Sequence, residues 1–264
     1  MNYSNAQALV FSVVLVTAAL TAPIATQAAS VDHQTVQHAS DNSIAIAALH
    51  QAIEDAKTRL KQFHHSQQAV GLTQTSEDLN GNILQRKFTP TAYHNNEITG
   101  EWQTLRADEK FNDSITVSDQ VIFDSTNIDL SSAQFLQETQ STWVFKIANI
   151  INVQSNDDSA EQELEQIDNA MTEHLFTEVI IDKKSPKIKA IKIYTRATFK
   201  PSWMLTIEKF ELRLNYSEAW RNGPLIRKSM TRHVKGQYGW LVSIDELITT
   251  ELTEVKKMNL AALQ

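Results

Sequence analysis

The densest run of side chains able to do chemistry in this chain is cationic. After Asp182 come Lys183, Lys184, Lys187, Lys189, Lys192, Arg196 and Lys200, with no acid until Glu208. A second group follows: Arg227, Lys228, Arg232 and Lys235. In an extended chain alternate residues share a face, so Lys187 with Lys189, and Lys192 with Arg196, project in pairs from one side of a sheet. Lys187, Lys189, Lys192, Arg196, Arg227 and Arg232 are therefore the candidate anion-binding residues. The plainer reading is a solvated edge on which lysines blunt exposed strands.

The charge is divided along the chain. Residues 31–182 hold 24 acids against 8 Lys and Arg (net −16), residues 183–235 hold 3 against 14 (net +11), and the last 29 are net −2, for a total of −7. With that acidic total and an exported chain, nucleic acid is not an expected partner. Lipid headgroups, an acylated anionic ligand or an acidic protein are, with peripheral membrane contact as a further option.

Other chemistry is thinly represented. The chain has no cysteine, so thiol nucleophiles, disulfides and thiolate metal sites drop out. Among its eight histidines, His64 and His65 are adjacent and point apart, and no pair has the four-residue helical spacing with an intervening Glu that zinc hydrolases use. Asp108–Glu109, Asp157–Asp158 and Asp245–Glu246 are neighbours in sequence and read as loop or helix-start acids. No serine sits in a glycine-rich elbow, and the six glycines are scattered. No metal, cofactor or catalytic set is expected. Trp102, Trp143, Trp203 and Trp240 lie on apolar parities and read as core, leaving Trp220 at a turn as the exposed candidate.

The elements that must position these groups follow from hydrophobic periodicity. Residues 1–31 lack Lys, Arg, Asp and Glu, and Ala8 to Leu20 is almost wholly apolar. Thr26-Gln27-Ala28 offers small residues for a signal peptidase, predicting cleavage after Ala28 or Ala29 and a periplasmic or secreted product. The alternative is an uncleaved N-terminal membrane anchor, since Ala8 to Ala25 approaches the ~20 apolar residues that cross a bilayer. The organisation is then a signal peptide (1–28), a flexible segment (29–42) and one domain (43–264), large enough to hold a core without staples.

Ile46, Leu49, Ile53, Ala56, Leu60 and Phe63 recur at spacings of three and four and predict a helix capped by Asn42 or Ser43. Leu164, Ile167, Met171 and Leu175 predict a second helix. Period-two alternation marks strands from Ile83, Ile98, Ile115, Val121, Trp143, Phe176, Lys187, Trp203, Leu225 and Tyr238, and Ile248 to Val255 reads as a last strand or a helix, its threonines favouring the strand. In the Trp203 strand the inward parity flips near Glu208–Lys209, which predicts a β-bulge. The fold class expected is α+β: a large curved antiparallel sheet, resembling an incomplete β-barrel, covered by two amphipathic helices. Ile46, Leu49, Ile53, Leu60, Leu164, Ile167 and Met171 would line an apolar groove between helices and sheet.

The Ile46–Phe63 stripe, the Trp143–Val153 strand, the Lys187–Tyr216 hairpin and Val234-Lys235-Gly236 leading to Ile244 together resemble the periplasmic carriers of outer-membrane lipoproteins. That resemblance is architectural and implies an unclosed barrel whose helices cap a cavity for acyl chains. It carries over no functional residue. The chain equally looks like other secreted Gram-negative proteins of no assigned role. The expected function is a monomeric periplasmic carrier for an apolar or acylated anionic ligand. The alternatives are an interaction module that docks an acidic partner through residues 183–235, and a hydrolase without a recognisable motif.

Overall fold

The computed structural model describes residues 35–66, 68–94, 97–111, 121–123, 128–148 and 173–259. One helix and ten strands make up most of these. Helix α1 (Thr35–His65) is followed by β1 (Gln68–Asp78), β2 (Ile83–His94), β3 (Glu97–Ala107), β4 (Gln134–Glu138), β5 (Thr142–Ile147), β6 (Leu175–Asp182), β7 (Ile188–Thr195), β8 (Leu205–Glu218), β9 (Leu225–Tyr238) and β10 (Val242–Asn259).

Every pairing is antiparallel, and the order across the sheet is β3-β2-β1-β10-β9-β8-β7-β6-β5-β4. Strands adjacent in sequence are adjacent in space, with one break. The chain leaves the sheet after β3 and rejoins at the far edge as β4, while β10 returns to pair with β1. The sheet is therefore an open meander with β3 and β4 as its edges.

The expectation of an α+β fold covered by two helices is overturned. The described molecule is mainly sheet, with a single helix lying on it. Leu164, Ile167 and Met171 lie outside the described residues, and Leu175 opens β6 instead of ending a helix. β-branched and aromatic neighbours (Phe176, Thr177, Val179, Ile180) favour the extended chain there.

The first stripe does form a helix. Ala45, Ala48, Leu49, Ala52, Ile53, Ala56 and Phe63 are buried, with Leu49 and Ile53 fully so, whereas Ile46 and Leu60 are half-buried at the margin. Four alanines on this face let the helix backbone approach the sheet closely. The helix begins at Thr35, so Asn42 and Ser43 lie inside it and not at its cap. At its end, the Ser66 N–H and hydroxyl both donate to the Phe63 carbonyl (3.1 and 2.8 Å), satisfying one of the last-turn acceptors.

Two apolar clusters result. Ala45 to Ala56 pack with Phe145, Val179, Ile181, Ile191, Phe210 and Val234 of β5 to β9. Phe63, with Leu60, packs with Val70, Leu72, Leu252 and Ile226 of β1, β10 and β9. One helix thus crosses the sheet from its β5 side to β1.

The predicted bulge is present. Ile207 pairs with Gly236 and Lys209 with Lys235, leaving Glu208 as the extra residue. A Cβ on Gly236 would stand 2.2 Å from the Thr206 carbonyl oxygen, so the two backbones meet too closely for any other residue.

Candidate functional site

Cross-strand partners point to the same face of an antiparallel sheet, so the register assigns each side chain to the helix-covered inner face or to the outer one. On β10 and β9, Glu246 pairs with Val234, Ile248 with Arg232 and Thr250 with Met230. On β1, Ser76 pairs with Thr250 and Gln74 with Leu252. On β2, Arg86 pairs with Gln74. Val234 and Leu252 belong to or pack on the buried clusters, and Ile248 is buried. Glu246, Arg232, Thr250, Ser76, Gln74 and Arg86 therefore form a polar row on the inner face, continuous with the apolar surface beneath α1.

Burial gives this row its chemistry. Arg232 is 5 % exposed, Thr250 3 %, Gln74 1 % and Ser76 0 %. The Ser76 and Thr250 hydroxyls bond to each other at 2.9 Å. Arg232 faces Glu246 at 3.9 Å, Nη2 to Oε2, a loose pair for two groups held away from water. Burial pushes the Glu246 carboxyl up to about 7, with Arg232 pulling weakly the other way. The same burial lowers the Arg232 guanidinium from its ordinary value. At neutral pH Glu246 is thus divided between acid and carboxylate, and it can donate or accept a hydrogen bond.

At the other end of the row, neither amide atom of Gln74 has a hydrogen-bond partner among the described residues. An amide desolvated without compensation costs on the order of 1–3 kcal/mol. Arg86 lies with its guanidinium carbon 4.5 Å from the centre of the Trp102 ring, and Trp102 in turn packs on Phe88 at 5.2 Å. Such stacking holds the guanidinium plane against the ring face.

The six cations singled out in the sequence separate between the two faces. Lys192 lies on the outer face, 3.6 Å from Glu211. There Glu211 continues to Lys209 (3.3 Å), Lys209 to His233 (3.1 Å) and His233 to Asp245 (3.0 Å). Lys187 is bound to Glu218. Lys189 is 2.7 Å from Asp182, whose carboxyl it holds, with the Ser185 N–H, at about 2. Arg196 stacks on Phe176 at 4.0 Å. These four are spread along charged pairs and one ring face and do not converge.

Arg227 and Arg232 are the two that turn inward. Arg227 is 7 % exposed and pairs in register with Tyr216, whose phenol burial pushes up to about 12. The basic block of the sequence is therefore largely met by acids from strands that pair with it.

Of the groove-lining residues, Leu49 and Ile53 are sealed against the sheet, and Ile46 and Leu60 flank them. Glu218 forms an ion pair with Arg59 of α1 (3.0 Å) and accepts from Lys187, tying the helix to the end of β8.

Gln74, Ser76, Thr250, Glu246 and Arg86 were not found from the sequence. Asp245 and Glu246 read there as neighbouring loop acids, but both lie on β10 and project to opposite faces. A signal existed: Glu246 stands between Ile244 and Ile248 on their apolar parity, where an acid is out of place unless buried with a purpose. Among the described residues, no three His, Asp or Glu side chains gather into a metal-holding group, and no helix is long and apolar enough to cross a membrane.

The chain matches no family model, and no curated protein matches it.

Proposed function

We propose that this protein is an exported binding or carrier module for a ligand with an apolar chain and a polar or anionic head. α1, sealed on the inner face of β5 to β9 by Leu49 and Ile53, would lift to admit the chain of the ligand, and the polar row that runs from Gln74 to Glu246 would receive its head. The observation that carries this reading is the enclosed polar row. A fully buried amide with no hydrogen-bond partner among the described residues stands at one end of it and an Arg–Glu pair at 3.9 Å at the other, and the row adjoins a large apolar surface covered by one helix. Ligand sites combine these two things, apolar walls and a few convergent polar groups.

In this reading α1 is the cover, and the Arg59–Glu218–Lys187 contacts are its latch. The likeness to the lipoprotein carriers belongs to the same proposal, as does the cleaved signal that would deliver the protein to the periplasm. The competing idea, docking of an acidic protein through residues 183–235, has less support, because Lys187, Lys189 and Lys192 are already engaged by Glu218, Asp182 and Glu211.

The test is native mass spectrometry of the protein isolated from an exporting host, followed by organic extraction. A co-purifying acyl-bearing species is expected, reduced in Gln74→Leu and in Arg232→Met. An apo mass from every preparation, with acyl probes failing to bind at micromolar concentrations, would remove the carrier reading.

A further inference from the structure

We propose that the end of the sheet formed by the start of β8 and the β9–β10 turn is a docking surface for an anionic lipid bilayer, separate from the ligand site. Trp203 is 87 % exposed, Trp240 89 % and Leu241 68 %. They stand at one place: the Gly239 N–H donates to the Met204 carbonyl at 2.6 Å, so each tryptophan is one residue from that bond. Large apolar side chains gathered in the open at one point mark an interaction surface.

The backbone that carries them is fixed. Phe199 and Ile207 exchange two hydrogen bonds (3.0 and 2.9 Å), the Leu205 N–H donates to the Ser202 carbonyl and hydroxyl (3.3 and 3.2 Å), and Gly239 supplies the turn's positive φ of 61°. The tryptophans are therefore presented on a braced tip and not on a slack loop.

The tip also projects. The end of β1, Asp78, is level with Ile248, and β10 runs six residues further to Val242, or about 20 Å at strand rise.

The occupant is set by charge and residue type. Between Arg196 and Glu208, and again between Lys235 and Asp245, the chain has no acid, and Lys200 is the one charged residue within those two spans. In a protein of net charge −7, the projecting end is thus apolar and aromatic, free of acids over both spans, and carries one cation, Lys200. Tryptophan prefers the headgroup level of a bilayer, and nearby lysine and arginine favour anionic lipid. A water-facing tip of this kind costs free energy that a membrane surface would return.

Full-length protein, after export, is sedimented with vesicles of phosphatidylethanolamine and phosphatidylglycerol, and with phosphatidylcholine vesicles as the neutral control. Binding is expected to the anionic vesicles, weakened by high salt. Trp203→Ser with Trp240→Ser should reduce it about tenfold or more, and Lys200→Glu by a smaller factor. Each variant is checked for an unchanged thermal midpoint, and bound acyl mass, if present, should persist in all of them.

Wild-type protein that does not sediment with anionic vesicles overturns the proposal. So does a double variant that sediments equally well. A wild-type dimer in analytical ultracentrifugation that the double variant abolishes, without vesicle binding, overturns it in favour of a second copy as the occupant.

Discussion

The inner face of the sheet has two parts that face the same way but are built on opposite terms. From β5 to β8 it is aliphatic and aromatic, and the alanine-rich side of α1 seals it, with Leu49, Ile53, Phe145 and Val179 at 0 % exposure. From β9 through β10 and β1 to β2 it buries Arg232, Thr250, Ser76 and Gln74 nearly as deeply, with Glu246 and Arg86 half-buried beside them. The first part gains stability from the apolar groups it buries, with Thr177 set among them. The second buries polar groups, among them the Gln74 amide with no hydrogen-bond partner among the described residues, whose desolvation works against stability. The difference is energetic, and it can be tested residue by residue.

The largest effect should come from the sealed part. Leu49→Ala or Ile53→Ala removes a fully buried side chain under α1 and should cost about 2–5 kcal/mol, measured by denaturant unfolding. A loss below about 1 kcal/mol would mean that the helix does not hold this position in solution.

Glu246 should dominate the pH response of the polar part. Its carboxyl is raised in the folded protein, so the folded state holds a proton that the unfolded chain has already released between the ordinary value near 4.5 and about 7. Stability should therefore fall as pH rises through that window and level off above it. Glu246→Gln should flatten the slope and be more stable than wild type at pH 8 by about 2–3 kcal/mol. Identical pH profiles would show that Glu246 is open to water.

A subtler outcome concerns its partner. Arg232 lowers the Glu246 carboxyl, so in Arg232→Met the downward slope should extend to higher pH. Carboxyl titration followed by NMR would show the shift, and an unmoved midpoint would separate the two residues. The smallest effect belongs to the outer face. Lys192→Ala breaks an ion pair at 3.6 Å between partly exposed groups and should cost less than about 1 kcal/mol, diminishing further in salt.

The contrast between the two parts also decided what could be read from the residues. β5, β6 and β8 stand out because their inner residues are almost all apolar at a period of two, and even the bulge at Glu208 followed from a change of parity. β1 left no such trace. Its inner residues include Gln74 and Ser76, so the alternation that marks a strand is missing where the site begins. β4 was lost for another reason, having only Phe135 and Leu136 as large apolar residues, the latter outward and exposed. Trp203 and Trp240 misled in the opposite direction: their parity is that of a core residue, but they lie beyond the last residues that have a sheet to pack on.

Local composition and period determined the helix face, most of the strands, the bulge and the stock of charges, because each depends on neighbours a few residues away. Which charges meet was settled only by the pairing of strands far apart in sequence. β7 set beside β8 cancels Lys192 with Glu211, and β9 set between β8 and β10 turns Arg232 inward to Glu246. The union of β1 with β10, across some 180 residues of chain, assembles the polar row. No local pattern encodes that meeting, since it depends on the order in which the whole sheet closes its pairs.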